Sequence, residues 1–363
     1  MRQLIENTVR TISNVFILSV VLVAAFPRPS TAQWQTDGNR LCSANGYQSR
    51  CQLLSDGAGG AIVVWEDGRV AQNDDIYCSR FTGSGRLYPG WPTTGVPLCT
   101  APGLQGGPAM TSDGNDGAIV AWTDGRSAGA YDIYAQRVGP NGYVDIGWPH
   151  DGVPLCVGTG VFPAIDHDGA GGAFAIWHDN RNTDYNRDIY AQHVSVTGTL
   201  SPGWPANGFG VNTSQRDDVD PTAISDGAGG AFVTWESSGA SDLFSQRITA
   251  SGEIAPGWPP DGLLISSAPS NQRNAVMTSD GAGGVIMAWY DARSDNGDIY
   301  AQRVTPSGTI APGWATDGVA VCTAPSDQLP PSIIDVPDGV LIAWADHWAS
   351  PVFVDGLTMP QVG

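Results

Sequence analysis

The sequence predicts an all-β protein, a six-bladed β-propeller of four-stranded antiparallel blades, and three observations carry that expectation. Twelve of the thirteen tryptophans lie on two interleaved ladders: Trp65, Trp122, Trp177, Trp235, Trp289, Trp344 and Trp34, Trp91, Trp148, Trp204, Trp258, Trp314. Successive rungs stand 54 to 58 residues apart, and a period near 50 belongs to propellers or solenoids rather than to one irregular core. The acids are 32 Asp against four Glu, among 47 Gly and 26 Pro. Asp bonds its own backbone in turns where Glu favours helices, so this is the composition of a turn-dense β-protein.

The second repeat shows how one unit is built. Pro108-Ala-Met-Thr-Ser112 reads as a short strand and Asp113-Gly-Asn-Asp-Gly117 as a tight turn. Ala118-Ile-Val-Ala-Trp122 is apolar on both faces, as a strand with neighbours on each side must be. Thr123-Asp-Gly-Arg126 opens a loop, and Asp132-Ile-Tyr-Ala-Gln-Arg-Val138 alternates as a third strand. Gly147-Trp148-Pro149 then leads to a last strand, Gly152-Val-Pro-Leu-Cys156. Four antiparallel strands in about 55 residues make one blade. The turn Asp precedes the ladder Trp by nine residues in all six copies, from Asp56–Trp65 to Asp335–Trp344, which fixes the hairpin register.

The chain's ends complete the expected count. Trp34 to Cys42 matches a fourth strand without its first three, and the sixth unit has the first three without a fourth. An N-terminal strand closing the last blade would leave no free sheet edge around the ring. An open solenoid or a fragment of a longer protein is the alternative.

Residues 1–32 read as a signal peptide. Arg2 and Arg10 precede the apolar run Val15–Phe26, and Ser30-Thr31-Ala32 gives a small-residue cleavage pattern near Ala32. The apolar run is shorter than the roughly 20 residues that span a bilayer, so the expectation is a secreted or periplasmic protein, off the membrane after cleavage, with the propeller at 33–363. Removing three Arg and one Glu with that leader takes the formal charge from −19 to −21. Such a surface excludes nucleic acid, whose binding needs basic groups to displace counterions.

Among the six cysteines, Cys42, Cys99, Cys156 and Cys322 share one phase of the repeat and read as buried small hydrophobes. Cys78 stands alone, 21 residues before Cys99. If those strands place the two opposite each other, a Cys78–Cys99 disulfide is within reach.

The unit Asp-Gly-x-Gly-Gly-Ala-(apolar)-Trp-x-Asp-x-Arg…Asp-Ile-Tyr-x-x-Arg resembles the repeats of TolB-like and WD40-like six-bladed propellers of exported bacterial proteins. The TolB-like repeats carry a Pro-Asp-Gly turn, an apolar strand, a Ser-x-Arg loop and an Ile-Tyr strand in the same order. The resemblance covers nearly all of residues 33–363 and implies a propeller; it leaves function open, because the fold hosts binding, scaffolding and hydrolysis alike.

Arg69, Arg126, Arg181 and Arg293 follow their Trp by four residues and precede Asp75, Asp132, Asp188 and Asp298. Repetition in four units marks them as ion pairs stapling the loops. Functional residues are then sought where the repeat breaks. In the sixth unit Asp346, His347 and Trp348 replace the Arg loop, an aromatic platform beside polar groups. In the connection to the fourth, Arg216, Asp217, Asp218 and Asp220 crowd the expected channel mouth, where three acids are a candidate calcium site. The histidines lack zinc-ligand spacing, and neither a Gly-x-Ser-x-Gly elbow nor a phosphate-binding loop is present. Glu66 and Glu236 each follow a ladder Trp, where Thr123 and His178 stand in other units.

The expectation from sequence is therefore an exported, non-catalytic binding or scaffold propeller. It would recognise a protein or polysaccharide through its variable loops or channel mouth, without a cofactor. The alternatives are a glycoside-active propeller enzyme and a structural spacer. A pair of strongly raised acids in a cleft would favour the enzyme, and acids set singly on exposed turns would favour the binder.

Overall fold

The computed structural model describes residues 38–346 apart from 128, 184–185, 240, 295 and 338, together with the backbone of 353–360. The expected leader, Trp34, His347 and Trp348 lie outside the described residues. Every regular element described is a β-strand. Sheet one comprises β1 (Gln48–Ser55), β2 (Ala61–Val70), β3 (Asn73–Phe81) and β4 (Val96–Cys99). Sheet two comprises β5 (Gln105–Ser112), β6 (Ala118–Asp124), β7 (Asp132–Val138) and β8 (Val153–Cys156). Sheet three comprises β9 (Gly160–His167), β10 (Ala173–Thr183), β11 (Asn186–Val194) and β12 (Phe209–Asn212). Sheet four comprises β13 (Asp218–Ser225), β14 (Ala231–Ser237), β15 (Asp242–Ile248) and β16 (Leu263–Ser266). Sheet five comprises β17 (Gln272–Ser279), β18 (Val285–Asp291), β19 (Asp298–Val304) and β20 (Val319–Cys322). Sheet six holds three described strands, β21 (Ser332–Val336), β22 (Gly339–Asp346) and β23 (Phe353–Pro360). Within each sheet neighbouring strands are antiparallel, and the first strands of successive sheets adjoin in chain order. All-β, with four-stranded antiparallel sheets set side by side, the chain has an architecture consistent with a propeller.

The repeat explains why these sheets form. Asp113 Oδ1 accepts the amides of Asn115 and Gly117, both at 2.8 Å, which closes the β5–β6 turn. Its Oδ2 accepts Arg137 Nε at 3.0 Å and so ties the turn to the third strand. Asp56 with Arg80, Asp226 with Arg247 and Asp280 with Arg303 repeat that pair; in sheet three His193 replaces the arginine. The second strands form the core. On β6, Val120 and Trp122 pack against sheet one while Ile119 and Ala121 pack against sheet three, all of them buried. Burying one such large apolar side chain contributes about 1.5–3 kcal/mol, so each second strand holds two sheet interfaces together.

The two Trp ladders do different work. Rungs of the second ladder cross between sheets: Trp91, Trp148, Trp204 and Trp258 donate Nε1 to carbonyls of the next repeat, Pro140, Val196, Ala250 and Pro306. Rungs of the first keep their hydrogen bonds within their own sheet, as Trp65, Trp122, Trp177 and Trp289 do. Residues two apart on a strand share a face, so Trp122, Asp124 and Arg126 fall in line. Trp122 Nε1 donates to Asp124 at 2.8 Å, and Arg126 grips both Asp124 oxygens at 2.8 and 2.6 Å. Arg126 also lies 3.7 Å over the Tyr134 ring and donates to the Asp151 carbonyl. The loop staple expected between Arg126 and Asp132 is thus corrected: Asp124 is the partner, and Asp132 accepts from Ser127 and Gly158. Only glycine fits at Gly152, where φ is +91° and a Cβ would stand 2.7 Å from the Trp122 indole.

Two further expectations change. Cys78 and Cys99 are both free thiols. The β3–β4 register slips between Ile76 and Tyr77, so Cys99 faces Ile76 and Cys78 faces Val96. The Cys99 Sγ instead lies 3.2 Å from Arg126 Nη2 and 3.8 Å from Asp124. Closure of sheet six by the N-terminal segment is likewise absent from the described residues. Ser43 donates to the Thr93 carbonyl and Cys42 packs on the Val63, Trp65, Tyr77 and Phe81 cluster, both in sheet one. No pairing to β23 is present among the described residues.

Candidate functional site

The first strands are bulged near their beginnings. Register slips fall between Ser49 and Gln52, Gly106 and Ala109, Val219 and Thr222, and Arg273 and Val276. β9 slips at the same height, beside His178. The bulge position takes positive φ in all five: Arg50 (47°), Gly107 (61°), Phe162 (52°), Asp220 (49°) and Asn274 (55°). Proline follows in three of them; lacking a donor, it suits a bulge better than a regular ladder. Bulges of this kind re-aim side chains and recur beside active sites. A non-glycine residue at such a φ costs about 1–3 kcal/mol, and strain of that sort gathers at functional positions.

In three sheets the residue after the first-ladder Trp meets the bulge of the next sheet. Glu66 Oε1 accepts the Gly107 amide at 2.6 Å, Thr123 Oγ1 accepts Phe162 at 2.9 Å, and Glu236 Oε1 accepts Asn274 at 2.5 Å. His178 breaks the series: it is buried and its Nδ1 has no hydrogen-bond partner. Its ring meets Phe162 edge-on, with centroids 5.6 Å apart. One end of the molecule therefore presents a column of side chains that differ from sheet to sheet on a frame that does not.

Electrostatics single out the stretch between sheets three and five. Burial pushes the Glu236 carboxyl up to about 7, against the Asn274 amide and Arg273, and the negative charge of Asp220 adds to the rise. Burial holds His178 below the usual imidazole range, with Arg187 acting the same way, against the carboxylates of Asp220 and Asp217. The charge of Asp220 thus acts on Glu236, His178 and Arg187 together.

The residues singled out in the sequence separate in the structure. Asp217 is engaged by Arg187 through two hydrogen bonds at 2.7 and 2.6 Å, and this guanidinium holds it far below the usual carboxylate range. Asp218 is fully buried, and burial pushes it up to about 7; Oδ2 accepts Asn212 Nδ2 and Oδ1 has no partner. Arg216 stacks over Phe244 at 4.2 Å. Among the described residues no three His, Cys, Asp or Glu side chains converge as metal ligands, and the acids considered for calcium do not share a centre. Asp346 is buried, bonded to the Ser326 hydroxyl and to Gln328. Among the described candidate residues, Asp220 alone stands exposed at the bulged end. Phe162 and Asn274 do not stand out in the sequence; the available signal is the position six residues before each turn Asp, which varies while the turn does not.

No family model matches the chain, and no curated protein does. Among solved structures it is similar to the α-L-arabinanase of Penicillium chrysogenum complexed with arabinobiose: 11% identity over 90% of this chain and 95% of that one, TM-score 0.46. It is similar to the α-L-arabinofuranosidase ARB93A of Fusarium graminearum at 9% identity, covering 90% and 95%, TM-score 0.43. A third is a thermostable family-43 glycoside hydrolase, 12% identical over 70% and 90%, TM-score 0.36. The expected non-catalytic binder is corrected here. These three similar structures carry the names of glycoside-cleaving enzymes; of the two acids pushed up to about 7, Glu236 stands at the bulged end and Asp218 is buried within sheet four.

Proposed function

We propose that the chain is an exported, glycoside-active propeller of six sheets, hydrolysing glycosidic bonds at the bulged end. The observation that carries this is Glu236, a carboxyl lifted to about 7 next to the charge of Asp220. Glycoside cleavage needs a proton donor for the leaving oxygen and a second carboxylate for the opposite side of the sugar. An acid that titrates near the working pH is an effective proton donor, which is the role of Glu236. Asp220, re-aimed by its bulge and exposed, supplies the second carboxylate. His178, neutral and packed against Phe162, walls the site without adding charge.

The test is reducing-end release by the purified protein from a polysaccharide panel that includes arabinan. Release of reducing ends, reduced about 10²–10⁴-fold in Glu236→Gln, is the expected result. A protein that cleaves no member, or whose Glu236→Gln variant cleaves as well as the parent, is not this enzyme.

A further inference from the structure

We infer that the cleft beside this site, between the beginnings of sheets one, two and three, is a subsite for a neutral saccharide unit; the inference rests on the glycoside reading. The cleft holds about 340 Å³ and is lined by Arg50, Glu66, Asp74, Gln105, Tyr131 and Phe162. That volume lies within the roughly 300–1,000 Å³ of small-molecule sites. Tyr131 and Phe162 are 50% and 54% exposed, and a sugar offers such rings its C–H face while its hydroxyl rim seeks polar groups. Phe162 is held outward by its positive φ, its amide fixed on Thr123, and it also touches His178. The same ring therefore borders both cleft and catalytic end.

The polar groups are built and one is unsatisfied. Gln105, at the floor, is fully buried, and neither Nε2 nor Oε1 has a hydrogen-bond partner. Its counterpart Gln272 donates Nε2 to the Ser270 carbonyl at 3.1 Å. The segment before Gln105 supplies no such acceptor, so its amide remains available to a hydroxyl. Glu66 is fixed by Ser49, the Gly107 amide and Arg50 at 3.6 Å, and Asp74 by the Tyr47 hydroxyl. Two carboxylates against one guanidinium leave the cleft net negative in a chain of charge −19. A uronic acid is repelled there; a neutral sugar can donate hydroxyls to both acids.

Calorimetric titration of the full chain with arabinohexaose, cellohexaose and hexagalacturonate tests this. At least one neutral oligosaccharide is expected to bind and the galacturonate is not. Tyr131→Ala and Phe162→Ala, checked by circular dichroism and an unchanged melting temperature, are expected to raise Kd at least tenfold, while Glu236→Gln binds as the parent does. Tighter binding of hexagalacturonate, no binding of either neutral hexamer, or parental Kd in both aromatic variants overturns the subsite. Cleavage that persists with parental Kd in the aromatic variants sinks the subsite alone; binding as expected without any cleavage sinks the glycosidase reading alone.

Discussion

Arg216 lies with its guanidinium carbon 4.2 Å over the Phe244 ring and donates Nη2 to the Asp261 carbonyl at 3.1 Å. Arg126 occupies the same seat in sheet two, over Tyr134 and on the Asp151 carbonyl. Sheet four has thus recovered the cation of the staple from the segment before its first strand, although Trp235 is not followed by the usual arginine. The anion has not returned with it. Ser237 stands where Asp124 would be, Trp235 Nε1 has no partner, and Asp218, paired across the strands with Ser237, forms no ion pair.

Asp218 therefore makes stability depend on pH in the opposite sense to the paired aspartates. Its folded value, about 7, lies above the ordinary 3.8. Its contribution is complete below about pH 4 and is lost as the pH rises through 7, because the unfolded chain releases that proton first. Asp218→Asn keeps an oxygen for Asn212 and removes the titration. The urea midpoint of the variant should exceed the parent's at pH 8, by about 1–3 kcal/mol in stability, and the gain should vanish by pH 4. An equal gain at both pH values would show that Asp218 does not titrate as described.

The complete staples should behave differently. Asp124 is fully buried and depends on Arg126 and Trp122. Arg126→Leu leaves that carboxylate without its cation, a loss of about 3–5 kcal/mol. Arg216→Leu removes a guanidinium that stacks on Phe244 and makes no salt bridge among the described residues, and should cost about 1 kcal/mol. Urea denaturation of the two variants gives the comparison directly, and similar losses would mean that the carboxylate contributes nothing to the difference.

Much of this was legible in the sequence, and the limits of legibility have physical causes. The strands of sheet two, from Pro108 to Cys156, sit where turn chemistry and periodicity placed them, because an Asp-Gly turn and an apolar strand are local properties. Partner choice was harder. Arg126 has Asp124 and Asp132 within six residues, and only the line-up of alternate residues on β6 decides between them. Cys78 and Cys99 were misjudged because the register slip between Ile76 and Tyr77 leaves no mark in their spacing. The rule that function lies where the repeat breaks picks out Asp220, which is exposed at a bulge, and also Arg216, whose position keeps a structural role alive by another route. Gln105 conforms to the repeat in sequence; its free amide comes from the loop before it.

The thiols give a direct check on the missing disulfide. Burial pushes the Cys99 thiol up to about 12 and Cys156 up to about 11, and Cys78, also buried, higher still. Cys51 is exposed. In the native protein a thiol-specific reagent should label Cys51 rapidly, since reaction needs accessible thiolate, and should reach Cys78, Cys99 and Cys156 only after unfolding. If Cys78 and Cys99 stay unlabelled in denaturant until a reductant is added, they are bridged.

Glu236 offers the most discriminating test, because its neighbours pull in opposite directions. The charge of Asp220 raises its proton affinity and Arg273 lowers it, on top of the larger effect of burial. An acid required in its protonated form gives a rate that falls as pH rises through its pKa, so kcat/KM should decline above about 7. Asp220→Asn removes a negative neighbour and should move that alkaline limb to lower pH; Arg273→Met removes a positive one and should move it higher, each by about half to one pH unit. Where the residual activity of Asp220→Asn is too small for a profile, ¹³C titration of the Glu236 carboxyl reads the same shifts. Limbs moving together in both variants, or not at all, would detach the alkaline limb from Glu236 and leave the proton donor to be sought elsewhere on the bulged end.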